Sequence, residues 1–179
     1  FGIGYAPDDW QALKAAFPEY DDARLVECGL VIQGEEGKRY DRFRGRIMFP
    51  IFNRRDTVVG FGGRVIGAGE PKYLNSPETP LFHKGEEIYG LGHARAAMHE
   101  ARRALVVEGY MDVVALDQAG FQAAVAPLGT ALTEAQVQLL WRMAPEPILC
   151  FDCDGAGQRA ALRAVDTILP MLKPGISAQ

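Results

Sequence analysis

The chain has 179 residues, 48% of them hydrophobic, and a formal net charge of −4, a length that buries a real core in one or two domains. The acidic balance argues against a polyanion-binding surface spread over the whole molecule, and no apolar run approaches the roughly 20 residues that cross a bilayer. Cys28, Cys150 and Cys153 are too few, and odd in number, for a disulfide framework; with no signal-like segment at Phe1, they point to a reducing, cytoplasmic compartment.

The first third reads as two short helices followed by strands. Asp8 with Gln11 resembles a capping box ahead of Trp10, Leu13 and Phe17, and Gly29 closes a second helix containing Leu25 and Val26. Residues 30–33, 47–52 and 57–66 are rich in β-branched and aromatic side chains, with turn-forming residues at 34–37 and 53–56, which predicts a small, mostly antiparallel β region. Charge is concentrated here. From Lys38 to Arg64 there are eight basic residues against only Asp41 and Asp56. Arg42, Arg44 and Arg46 alternate with Phe43, Gly45 and Ile47, so on a strand they project from one face. Such a row suits the backbone of single-stranded DNA; an ordinary solvated face is the alternative.

Residues 67–85 are dense in Gly, Pro, Asn and Ser and read as an irregular connection, and 86–101 as a helical stretch. From Arg103 the pattern is strand and helix, three times over. Thr133 with Gln136 makes a second capping box before Leu140, and Ala161, Val165, Ile168 and Leu172 recur at helical spacing until Pro174-Gly175. Strands alternating with helices imply a parallel sheet. The expected fold class is therefore α/β: an α+β part with antiparallel strands over 1–102, then a parallel-sheet domain over 103–179.

Two apolar runs in that second part end in acids. Ala104-Leu105-Val106-Val107 delivers Glu108-Gly109-Tyr110-Met111-Asp112, and Pro147-Ile148-Leu149-Cys150-Phe151 delivers Asp152-Cys153-Asp154-Gly155. Parallel sheets place their sites at the carboxyl ends of strands, and carboxylates gathered there need a cation to relieve their repulsion. Glu108, Asp112, Asp152 and Asp154 are the candidate ligands, and all-oxygen donors suit Mg²⁺ or Mn²⁺. The competing reading is that acids decorate helix starts. It explains Asp112 or Asp154 alone, and explains Glu108 and Asp152 less well because both abut apolar runs. Cys150 and Cys153 have C-x-x-C spacing but no second ligand pair, so no zinc site is expected and small-residue packing is the expected role of both.

Glu108-Gly109-Tyr110-Met111-Asp112-Val113-Val114-Ala115-Leu116, followed by Asp152-Cys153-Asp154-Gly155-Ala156-Gly157, resembles the Toprim domain of bacterial DnaG-type DNA primases. Upstream blocks are similar to the primase catalytic core in particular: Tyr40-Asp41-Arg42-Phe43-Arg44, Gly60-Phe61-Gly62-Gly63-Arg64, Pro71-Lys72-Tyr73-Leu74-Asn75-Ser76-Pro77-Glu78-Thr79 and Phe82-His83-Lys84-Gly85. The resemblance covers essentially the whole chain. It implies a Rossmann-like Toprim domain and template-dependent synthesis of short RNA primers on single-stranded DNA from ribonucleoside triphosphates, with divalent metal. It also implies a cytoplasmic, nucleoid- or replisome-associated parent protein with a replicative helicase and a single-strand-binding protein as partners.

Under the resemblance Glu108, Asp152 and Asp154 are the catalytic residues, with acid/base action by Glu108 as an alternative to metal ligation. Arg64, Lys72, Lys84 and Tyr110 fall at positions implicated in nucleotide or template handling. Three departures are visible: Cys153 stands where the family usually has Gly, the family's further acids would follow Gln179, and its zinc-ribbon cysteines would precede Phe1. The chain is thus expected to be an excised core. Two other readings share these motifs, a Toprim-family nuclease and a non-catalytic single-stranded DNA-binding module.

Overall fold

Strand-forming residues dominate the first half of the chain and strands alternate with helices in the second, and the two halves fold around separate cores. A computed structural model describes residues 1–129 and 131–179. One unit comprises Phe1–Ile51 with Val58–His83, the other Phe52–Thr57 with Lys84–Gln179.

The first unit is built on a four-stranded sheet in the order β1-β4-β5-β6. Strand β1 (Gly4–Ala6) runs antiparallel to β4 (Arg46–Phe52), and β5 (Val58–Val65) antiparallel to β6 (Tyr73–Asn75). Phe49 and Ile51, two apart on β4, are both fully buried, as period-two alternation requires of a strand with one face on a core. At Gly60 a Cβ would stand 3.1 Å from the Phe82 ring, a tight fit that the ring would have to relieve by giving a few tenths of an ångström. A separate two-stranded ladder pairs β2 (Val31–Gln33) antiparallel with β3 (Arg39–Asp41). The expected strands over 30–33, 47–52 and 57–66 are present, while β6 falls inside the stretch expected to be irregular.

Helix α1 (Ala23–Glu27) opens on Asp22, whose carboxylate accepts from Arg24 N at 2.8 Å. It closes at Gly29, where φ is +69°. Leu30 N donates to Leu25 O and Gly29 N to Val26 O, each at 2.9 Å, the reciprocal pair of bonds that ends a helix on a left-handed residue. The expected helix at Asp8 is not there. Only a short 3₁₀ turn, Ala12–Ala15, forms, and Gln11 makes no side-chain cap bond; its amide instead donates to Arg39 O at 2.8 Å. Asp41 organises this segment from the interior. Its buried carboxylate accepts from the Tyr20 hydroxyl at 2.6 Å and Leu13 N at 2.8 Å, and its own N–H donates to Trp10 O at 2.8 Å. Burial, then the Asp41 carboxylate, hold the Tyr20 hydroxyl protonated well above the usual phenol range.

The second unit carries a mixed sheet in the order β10-β8-β9-β7. Strands β8 (Leu105–Val106), β9 (Ala124–Pro127) and β10 (Ile148–Leu149) are parallel, with β8 in the middle. Strand β7 (Ile88–Tyr89) pairs antiparallel with β9. Residues 88 and 89 were expected to be helical; they pair with β9 because the chain turns at Gly90, φ +79°, before α2 (Leu91–Ala101) begins. Helices α3 (Tyr110–Gln118), α4 (Glu134–Met143) and α5 (Gly155–Ile168) follow β8, β9 and β10 in turn. The core joins Leu91, Ala94 and Met98 of α2 to Val106, Val125, Val137 and Leu140. Helix α2 precedes residue 103, yet its apolar face belongs to this core.

The capping box at α4 forms as expected: Gln136 N donates to Thr133 Oγ1 at 3.2 Å and Thr133 N to Gln136 Oε1 at 3.0 Å. Gln136 is also almost fully buried, and its Nε2 donates to Lys84 O at 3.0 Å and Glu87 O at 2.8 Å. One side chain thus caps a helix and pins the segment leading into β7. We predict that Gln136→Leu leaves two part-buried carbonyls and the Thr133 N–H without this partner and destabilises the second unit by about 2–4 kcal/mol. Urea denaturation checks this, and an unchanged midpoint would show that water replaces both bonds.

Candidate functional site

Strands β8 and β10 lie side by side and in parallel, with Leu105 opposite Ile148 and Val106 opposite Leu149. Both chains therefore emerge at the same edge. The ladder runs on to Cys150 N, which donates to Val106 O at 2.8 Å, and just past it Glu108 Oε1 accepts from Asp152 N at 2.8 Å. The two acid-bearing strand ends are thereby joined through the Glu108 carboxylate.

Helices α3 and α5 both start at this edge. Asp154 is the N-cap of α5, its Oδ1 accepting from Ala156 N and Gly157 N, each at 2.8 Å. Asp112 Oδ2 accepts from Gly109 N at 3.1 Å in the first turn of α3. The helix-start reading thus describes real bonds of Asp112 and Asp154, and it does not account for Glu108 or Asp152. Among the described residues, no three His, Cys, Asp or Glu side chains converge as a set able to hold a metal ion. The four expected ligands share one edge of the sheet without being gathered, and Glu108, Asp112 and Asp154 each turn one oxygen to a backbone amide.

Gly157, the last residue of the Asp152–Gly157 block and in the first turn of α5, has a role that the sequence pattern does not assign. A Cβ there would stand 2.1 Å from Asp152 O and 2.7 Å from Glu108 Oε1. The helix approaches the strand ends this closely only because position 157 has no side chain. The donor set fits a hard divalent cation, since every candidate ligand is a carboxylate and Asp112, Asp152 and Asp154 are exposed.

Tyr110 is placed differently from its expected role. It is 6% exposed and packs edge-on against Tyr89, ring centroids 5.5 Å apart, so the ring is part of the packing beneath α3. Lys84 is half-buried and its carbonyl is held by Gln136. Cys150 and Cys153 are both exposed, which removes the packing role expected of them; they lie beyond β10, where the chain leaves the core.

The remaining candidates lie in the first unit. The expected row of arginines on one strand face does not form. Strand β3 ends at Asp41 and β4 starts at Arg46, with Gly45 at φ +58° between them, so Arg42 and Arg44 sit in a loop. Arg46 is buried, its guanidinium donating to Gly63 O and Lys72 O at 3.5 Å. Arg42, Arg44 and Arg46 instead converge on a cleft of about 610 Å³, with Tyr40, Tyr5 and Leu74 also in its wall. Burial lowers the Arg42 pKa from its ordinary value, and its buried Nε has no hydrogen-bond partner among the described residues. Arg64 stands opposite Tyr73 in the β5–β6 ladder. Its guanidinium lies 5.9 Å and the Lys72 ammonium 5.7 Å from the centre of that exposed ring.

Residues 1–95 match the N-terminal domain of the DNA primase catalytic core, and residues 102–179 match the Toprim domain. The chain belongs to the DNA primase catalytic-core family. It is 57% identical over 173 residues to the DNA primase of Neisseria meningitidis serogroup B, covering 97% of this chain and 29% of that protein. It is 50% identical to that of Escherichia coli K12, covering 98% of this chain and 30% of the relative. Among solved structures, the primase catalytic core of E. coli superposes with a TM-score of 0.92 at 49% identity, over all of this chain and 58% of that one. A DnaG primase catalytic domain bound to single-stranded DNA superposes at 0.91 and 48% identity, covering 99% of this chain and 56% of the other. The chain therefore spans about three-tenths of the length of its curated relatives. Its acids and basic cleft lie in segments matched to the Toprim and N-terminal domains respectively.

We predict that Gly157→Ala in this core displaces the first turn of α5 from the strand ends and weakens the Asp152 N–H···Glu108 bond. Amide hydrogen exchange at Asp152 should accelerate roughly tenfold or more, while amides of α4 keep their protection. Unchanged exchange at Asp152 would show that the helix start shifts without disturbing the acids.

Proposed function

We propose that this chain is the catalytic core of a DNA primase, joining ribonucleoside triphosphates into short RNA primers on a single-stranded DNA template. The observation that carries this reading is the tie between Glu108 and Asp152, which joins two acidic strand ends at one edge of a Toprim-type sheet. The parent protein is cytoplasmic and acts with a replicative helicase and a single-strand-binding protein at the replisome. Family membership supports these assignments, and no helix among the described residues is long and apolar enough to cross a membrane.

Phosphoryl transfer asks mainly for positioning and for relief of negative charge. Glu108, Asp152 and Asp154 are the residues proposed to hold Mg²⁺ or Mn²⁺, with Asp112 directly or through water. A bound divalent ion would supply charge neutralisation at the triphosphate and activate the attacking hydroxyl. The chain's own contribution is to orient the carboxylates of Glu108, Asp112 and Asp154. Backbone amides of Asp152, Gly109, Ala156 and Gly157 each donate to a carboxylate oxygen of Glu108, Asp112 or Asp154. Lys72, Lys84 and Arg64 are proposed to take the nucleotide phosphates, Lys as a point charge and Arg as a fork. Arg42 and Arg44 are proposed to face the template backbone from the cleft, while Arg46 holds that cleft's floor through Gly63 and Lys72.

Asp154 separates structure from chemistry. Asparagine caps a helix as well as aspartate but carries no charge. In the full-length protein Asp154→Asn should lower de novo RNA synthesis on single-stranded DNA by about 10²–10³-fold while leaving the melting temperature within a degree or two of the parent. Wild-type rates would reduce Asp154 to a helix cap. DNA cleavage in place of RNA synthesis by the unsubstituted protein would favour a Toprim nuclease, and neither activity would favour a binding module.

A further inference from the structure

Arg159 lies in the second turn of α5, five residues past Asp154, and is exposed. Helix side chains lean toward the N-terminus, so each lies over the residue four positions before it. Here that residue is Gly155, the first of the helix, and Arg159 Nη1 stands 3.3 Å from where a Cβ at 155 would be. The guanidinium thus fills the place of a missing side chain and sits back at the start of the helix, next to the acidic block.

The fold does not engage this cation. The guanidinium groups of Arg39, Arg44, Arg46 and Arg95 all donate to backbone carbonyls, whereas Arg159 makes no hydrogen bond or ion pair among the described residues. Its neighbours on the same helix face are Gly155, Ala156, Leu162 and Arg163, none of them acidic. Asp154 Oδ1 takes the amides of Ala156 and Gly157 instead. The order of the sheet gives the position its meaning. Glu108 and Asp152 follow β8 and β10, while Lys84 precedes β7, which two strands separate from β10, a distance of roughly 14 Å. On the β10 side the acidic block is followed within five residues by Arg159. A polyphosphate brought to carboxylates through a divalent ion still meets their repulsion wherever the ion does not shield it. A guanidinium relieves that repulsion and offers two parallel N–H groups to phosphate oxygens.

We propose that Arg159 binds the phosphate chain of the incoming ribonucleoside triphosphate, at the end remote from the bond being made. This rests on the primer synthesis proposed above and adds to it a phosphate contact from α5, beside those assigned to Lys72, Lys84 and Arg64. A contact with the outer phosphates is the same before and during bond formation. It therefore strengthens substrate binding without changing the chemical step, and is read in KM rather than in kcat.

In the full-length protein, with Mg²⁺ and a single-stranded template, Arg159→Ala should raise the KM for ribonucleoside triphosphate roughly 3- to 30-fold and leave kcat within about twofold. Arg159→Lys keeps the charge and should recover most of the loss; Arg159→Gln does not keep it and should recover little. Inhibition by inorganic pyrophosphate should weaken by the same factor as KM rises. Because Arg159 is exposed and unbonded, all of these variants should keep the parent's melting temperature and its affinity for oligo(dT) by anisotropy. An unchanged KM and unchanged pyrophosphate inhibition in Arg159→Ala, with the parent making primers, would overturn the contact and leave primer synthesis standing. A loss of oligo(dT) affinity as large as the rise in KM would also overturn it, by making Arg159 a template residue. Absence of RNA synthesis by the unsubstituted protein would remove the proposed function and this contact with it.

Discussion

The second unit depends on β8 and β10 being adjacent and parallel. Adjacent parallel strands deliver their following residues to one edge, and here those residues are Glu108 and Asp152. The 2.8 Å bond from the Asp152 amide to Glu108 converts that adjacency into a fixed relation between a side chain of one strand end and the backbone of the other. The same bond fixes the orientation of the Glu108 carboxylate at the strand end. The close approach of α5 at Gly157 follows from the same geometry. Helix, strand end and carboxylate meet within a few ångströms, and the missing side chain at 157 lets them do so.

What could be read in the sequence was whatever a short local pattern determines. The acids were found because apolar runs of four or five residues end abruptly in charge, and the capping box at Thr133 because its two partners are three residues apart. The Schellman turn at Gly29 was legible for the same reason. Long-range relations were less so. Gln136 was visible as a cap, but its bonds to the Lys84 and Glu87 carbonyls join residues about fifty positions apart, and no local spacing encodes them. The Asp8–Gln11 pattern failed because Gln11 found a better acceptor in Arg39 O, across a tertiary contact, and Asp41 drew in Leu13 N and Tyr20 from the interior.

The arginines show how one residue changes a functional surface. Arg42, Arg44 and Arg46 alternate as strand residues do, and Gly45 interrupts the alternation by adopting a left-handed conformation that branched or bulky residues resist. The chain leaves β3, crosses a short loop and enters β4. A flat charged face is thereby replaced by a concave one, in which Arg46 supports carbonyls from two other segments, Arg42 is partly desolvated and Arg44 stacks on aromatic rings. Three residues of one type take three different physical tasks, and composition alone assigns them one.

Strand β7 has only two residues, and they pair with β9 on the side of the sheet away from β10. An unpaired border on a sheet of short apolar strands offers ladder hydrogen bonds to any extended segment that meets it. By laying Ile88 and Tyr89 along β9 and then turning away at Gly90, the chain occupies that border with a partner of its own and exposes very little fresh ladder beyond it. The antiparallel addition thus guards an otherwise parallel sheet against intermolecular strand pairing, a hazard that is greatest while the long-range contacts of such sheets are still forming.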